Sequence, residues 1–181
     1  LPVDGISARD LTRVEVKGRD DAWRMFELWK ENLVEFKDAY FFLSGPAVGI
    51  RETRRIIGEY TLTEDDVYSA RKFDDVVVKG GWYIDKHPAG SPGYHPCIPI
   101  KAYDIPYRTL IPQNIDNLLV AGRCHSATTN ALSSSRVGIT SMGMGQAAGI
   151  AAALSAQGNT APGSVNIKKL QENLLNQGAI L

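Results

Sequence analysis

From Val137 to Leu154 the chain reads VGITSMGMGQAAGIAAAL, without one charged residue and dominated by small side chains. Such a segment has three ways of being covered: by lipid, by its own core or by a ligand. It is long enough to span a bilayer. However, Gln146, Thr140, Ser141 and the glycines between Gly138 and Gly149 make it poorly lipophilic for a lone helix, so no membrane association is expected. As a core helix it makes ordinary sense, because Gly145, Ala148, Gly149 and Ala152 would form a face that a second backbone can approach closely. The ligand reading takes in the preceding residues as well. NLLVAG, ending at Gly122, has the compact apolar form of a buried strand; a polar loop comes next, and a helix then starts near Arg136 and Val137 with unsatisfied N–H groups and the positive end of its dipole. An anion or an electron-rich ring suits that end.

Twenty basic residues balance twenty acidic ones with no long single-sign run, so nucleic acid is not an expected partner. Cys97 and Cys124 lie far apart in no CxxC pattern, which favours reduced thiols, and hence slightly a cytoplasmic setting, over a disulfide framework. Trp23, Phe26, Trp29 and Leu33 recur at three-to-four-residue spacing and predict an amphipathic surface helix with a buried stripe. AYFFLSGPAVGI reads as strand material broken by Gly45 and Pro46, and Thr63 as the N-cap of a short acidic helix. DDVVVKGGWYIDKHP reads as strand, Gly80-Gly81 turn, strand; the prolines at 88, 92, 96, 99, 106 and 112 forbid a helix through the next stretch. A helix from Val137 to Ala156 and a capped amphipathic helix in NIKKLQENLLNQG, stopped by Gly178, complete the chain.

Taken together, NLLVAGRCHSATTNALSSSRVGITSMGMGQAAGIAAAL, GIRETRRIIGEYTLTEDDV and YDIPYRTLIP resemble the carboxy-terminal half of FAD-dependent oxidoreductases of the glutathione-reductase-like flavoprotein superfamily. The likeness runs from DLTRVEVKGRDDAW to LQENLLNQGAIL. It implies an α/β fold in which residues 105–160 are the returning part of a Rossmann-like FAD-binding domain, residues 1–104 a substrate-side strand-and-loop region, and residues 161–181 a terminal helix. It implies FAD as cofactor, with Gly122 and Arg123 near its ribityl-pyrophosphate portion and Ser134, Ser135, Arg136, Val137 and Gly138 beside the pyrimidine edge of the flavin.

The chemistry of those residue types is consistent with that assignment. When a flavin accepts hydride at N5, negative charge gathers at N1 and O2, which helix-start N–H donors and the Arg136 guanidinium would stabilise; a structural ion pair is the plainer role for Arg136. His125 would serve either as an acid or base near the flavin or as a hydrogen-bonding loop residue. Tyr107 and Arg108 precede the returning strand and are further catalytic candidates, against plain packing and surface charge. Arg51 and Arg54, in RETRR, would bind a carboxylate substrate if they are not simply surface charges on a strand. His95, Cys97, Cys124 and His125 have metal-compatible side chains but not the spacing of a zinc site, so no metal is expected.

One departure stands out. No strand–GxGxxG–helix unit with a subsequent ribose-binding acid is present, and LSGPAVGI does not replace it. The expectation is therefore a carboxy-terminal portion whose dinucleotide-binding half lies elsewhere, weak FAD binding by the chain alone, and association with that half or with a second copy. The competing expectation is a non-catalytic binding or scaffold module that keeps the fold without the cofactor.

Overall fold

The computed structural model describes residues 3–86 and 98–181, in two compact units, Leu1–Thr53 and Arg54–Leu181. His95 and Cys97, together with Pro88, Pro92 and Pro96, lie outside the described residues.

In the first unit, helix α1 runs Ala8–Asn32. It begins earlier than the aromatic periodicity suggests because Ser7 caps it, its hydroxyl accepting the Asp10 N–H at 3.3 Å. Trp23, Phe26 and Phe41 form a ring cluster with centroids 5.7 to 5.8 Å apart, and Trp29 meets Phe36 at 5.2 Å. The expected buried stripe is nevertheless half open: among the described residues of this unit Val14 is the buried hydrophobic one, while Trp23, Met25, Leu28 and Trp29 are exposed. The cause is the segment carboxy-terminal to α1. AYFFLSGPAVGI forms no strand to cover the stripe; it is irregular, and Arg19 reaches into it, donating to Ser44 Oγ at 2.8 Å and to the Pro46 carbonyl at 3.1 Å.

The second unit holds the core. Helix α2, Glu64–Tyr68, starts in the predicted Thr63 cap, which closes a capping box with Asp66. Strand β1, Val76–Gly80, pairs antiparallel with strand β2, Tyr103–Pro106. The Gly80-Gly81 hairpin is thus corrected: residues 81–86 form no strand, and the partner comes from the proline-rich stretch. Gly80 faces Tyr103, whose ring occupies the space an added Cβ would need, so the close pairing requires the missing side chain. Pro106, with no N–H to donate, ends β2.

NLLVAG is also corrected. Residues 118–121 join no sheet; the Val120 N–H donates to the Leu110 carbonyl at 2.9 Å and Leu118 is exposed. Nor is the next stretch a simple loop. A 3-10 turn at Gly122–Cys124 leads to helix α3, Thr129–Ser135, capped by Thr128, and α3 meets helix α4, Gly138–Gly158, at 92°. The three serines of α3 read as loop in sequence because such side chains compete with the helix ladder; here they are buried and bonded instead.

Helix α4 buries Thr140, Met144, Ala147, Ala151 and Ser155. The small-residue face expected at Gly145, Ala148, Gly149 and Ala152 is displaced: Gly145, Gly149 and Ala152 are exposed. Close approach occurs earlier in the helix, at Gly143, where an added Cβ would come 2.5 Å from Val78 Cγ2 of β1. Helix α5, Ile167–Asn176, is capped by Asn166, buries Leu170 and Leu174, and is stopped near Gly178 at φ 83°. Gln171 ties α5 to β1 through the Asp74 and Val76 carbonyls at 2.8 and 3.0 Å. Among the described residues no single helix is long and apolar enough to cross a membrane.

Candidate functional site

The α3–α4 corner presents the amino end of α4 to the outside. Val137 occupies the N-cap position and offers no side-chain hydrogen bond, so the first N–H groups of a 21-residue helix have no side-chain acceptor from that cap. Gly138 is exposed, and Ile139 and Met142 beside it are 85 % and 75 % exposed. Gly122, at φ 74°, lies against this first turn: a Cβ on it would stand 3.6 Å from Ser141 Cβ. The left-handed turn thereby sets Gly122, Arg123 and Cys124 alongside the start of α4, with Arg123 and Cys124 exposed. Four predicted cofactor residues, Gly122, Arg123, Val137 and Gly138, are brought together here.

Behind that surface the corner is closed by polar bonds. The Ser134 hydroxyl meets the Tyr103 hydroxyl at 2.8 Å and donates to the Trp82 carbonyl. Burial pushes the Tyr103 phenol up to about 12, so it stays protonated. Ser135 Oγ lies 2.8 Å from His125 Nε2. Arg136 closes α3 and sends its guanidinium to Asp85, 2.7 Å from the backbone carbonyl and 3.7 Å from the carboxylate, with the two side chains only 10 % and 20 % exposed. The hydroxyls of Ser134 and Ser135 therefore hold the corner together from inside, and Arg136 sits in an ion pair.

His125 is fully buried, and its Nδ1 is a buried nitrogen without a hydrogen-bond partner among the described residues. Burial pushes its pKa down to about 4, with the nearby Arg55 charge adding to the effect. Its imidazole is accordingly neutral at ordinary pH, and the uncharged ring braces α3 through Ser135.

The other predicted residues lie elsewhere. Tyr107 is a core side chain, 1 % exposed, donating to the Pro162 carbonyl at 2.9 Å beyond the carboxyl end of α4. Arg108 is bidentate to Asp75, at 2.9 and 3.2 Å, and lies over the Tyr60 ring at 5.3 Å. Arg51 and Arg54 are both exposed, in a stretch that forms no strand, so the expected alternation of faces is absent; they fall in different units. Asp85, Trp82 and Tyr103, which organise the corner, were not singled out by spacing, since each reaches α3 or α4 only through the fold.

An uncapped helix start, a glycine in the left-handed region against it and two exposed apolar side chains are features that suit a planar, electron-rich group carrying partial negative charge. The chain matches the family model described as FAD dependent oxidoreductase over residues 2–174, and it belongs to that family. FAD is its cofactor and flavin-dependent oxidation and reduction its general chemistry. No curated protein and no solved structure matches the chain.

Proposed function

We propose that the start of α4 and the Gly122–Cys124 turn line the flavin end of an FAD site, in the manner of the glutathione-reductase-like flavoproteins. The observation that carries this reading is the exposed, uncapped amino end of α4 beside Gly122. FAD, when bound, supplies hydride acceptance at its ring system. The residues of this chain do the rest. The Val137, Gly138 and Ile139 backbone N–H groups and the helix dipole hold partial negative charge, while Ile139 and Met142 exclude water from a bound ring. Arg136, paired with Asp85, adds the field of that pair from just behind the corner. His125, neutral and braced on Ser135, keeps α3 and the glycine turn in place.

The pyrophosphate and adenosine of the cofactor call for a strand–GxGxxG–helix unit that this sequence does not carry. We assign that part of the site to a companion segment, an amino-terminal half of the same protein, and self-association of the chain to the covering of its exposed apolar surface. The substrate is a small molecule reaching the flavin from the same open side.

Val137→Asp separates this role from a purely structural one. An N-cap carboxylate would satisfy the α4 amides internally and add about 1 kcal/mol of stability, while placing negative charge where the cofactor's own must go. The expected result is an unchanged or raised melting temperature with FAD affinity lowered at least about tenfold, or about 1.4 kcal/mol. Unchanged FAD affinity would remove α4 from the site.

A further inference from the structure

We propose that Asp85 is a positioning residue of the flavin site, and that its carboxylate sets how much of the Arg136 charge the cofactor feels. This rests on the reading that the flavin lies at the start of α4.

Three contacts pin the segment Trp82–Asp85 to the corner: Ser134 to the Trp82 carbonyl, Arg136 to the Asp85 carbonyl at 2.7 Å, and Arg136 to the Asp85 carboxylate at 3.7 Å. The backbone contact alone is enough to orient the guanidinium. The carboxylate adds something different, a compensating charge. With the arginine side chain 10 % exposed and the aspartate 20 % exposed, water screens the pair poorly, so each charge acts over a longer distance than on an open surface. A lone guanidinium in this position would act on its surroundings as a full positive charge; with Asp85 beside it, the pair acts mainly as a dipole, whose field falls off faster. The positive character left at the α4 start then comes chiefly from the helix amides.

The consequence is measurable as a redox potential. Removing the carboxylate charge while keeping its shape should expose the Arg136 charge and favour the reduced, more negative cofactor. Potentiometry of the FAD-loaded protein is the test, with Asp85→Asn, Asp85→Glu, Arg136→Gln and the double variant Asp85→Asn/Arg136→Gln. Asp85→Asn should shift the reduced-to-oxidised ratio about tenfold towards reduced, a rise of about 30 mV for a two-electron couple. Asp85→Glu, which keeps the charge, should stay at the wild-type value. The double variant, which removes both charges of the pair, should lose the rise. FAD dissociation constants measured in parallel show that each protein is loaded. If Arg136→Gln lowers the potential but Asp85→Asn leaves it unchanged, Asp85 has only a structural role and the inference falls while the site reading stands. If no variant moves the potential, Arg136 is not felt by the flavin, and the inference falls with that part of the reading. An equal rise in Asp85→Glu and Asp85→Asn would overturn the charge account. Should Asp85→Asn fail to load, Arg136→Gln decides: a lowered potential there, with wild-type-like values in Asp85→Glu and the double variant, supports the proposal, and an unchanged potential in Arg136→Gln overturns it.

Discussion

The two long helices, α1 in the first unit and α4 in the second, bury residues in the inverse order of their amphipathic patterns. Helix α1 has the spacing of a buried stripe, yet of its residues only Val14 is buried and its tryptophans stand half open. Helix α4 has hardly any amphipathic pattern, yet it carries Met144, Ala147 and Ala151 into a core completed by β1, β2, α3 and α5. Periodicity describes which side chains share a face. Whether that face is covered depends on what the rest of the chain brings to it, and the aromatic cover after α1 consists of Phe36 and Phe41 among the described residues.

Substitutions can break this contrast or sharpen it. The largest effect is expected from Leu132→Ala, which empties a fully buried site in α3 and should cost about 3 kcal/mol, read as a lowered denaturation midpoint. A cost below about 1 kcal/mol would show that the second unit is loosely packed.

The imidazole of His125 gives a pH effect of similar size. It titrates at about 4 in the fold against 6.5 for an ordinary histidine. Between those values the unfolded chain holds more protons, so stability is fully present above about pH 6.5, falls as the pH drops through the window, and is flat again below about 4. The total is roughly 3 kcal/mol. In His125→Gln the slope between pH 6.5 and 4 should largely vanish, whatever the overall stability; a retained slope would assign it to other groups.

Gly143→Ala brings a methyl group to 2.5 Å from Val78 Cγ2, and the branched valine has little freedom to retreat. The helix-propensity gain of about 1 kcal/mol should be outweighed by overpacking of about 1 to 3 kcal/mol, for a net loss near 1 kcal/mol by calorimetry. At the small end, Leu28→Ala in α1 should change stability by less than about 0.5 kcal/mol, because Leu28 is already 55 % exposed. A loss comparable to that of Leu132→Ala would mean that the first unit is covered in solution.

Local signals in the sequence were legible where the chain itself supplies the partner. Thr63 and Asn166 cap the helices they were expected to cap, α4 lies within two residues of its predicted bounds, and Gly178 marks the end of α5. Features set by distant partners were not. Nothing in VVVKG points to YDIP as its neighbour rather than WYID, since the register depends on Gly80 accepting the Tyr103 ring. The serines of α3 look like loop until Tyr103, Trp82 and His125 are seen to satisfy two of them. At the candidate site, family likeness implied one cofactor for Gly122 and for the start of α4 but put them at different parts of it, so their contact, like the engagement of Arg136 by Asp85, needed the fold.

The tight corner between α3 and α4 also limits how the chain can change. Only Arg136 and Val137 separate the two helices, so there is no slack to absorb an insertion. One extra residue placed there would turn α4 about its own axis by about 100°. Gly143 would leave Val78, Met144 would leave the core, and the exposed amides would point in a new direction. Sequence drift at this corner can therefore proceed by substitution but hardly by change of length, and related chains should differ in the loops around it long before they differ in the number of residues between Ser135 and Gly138.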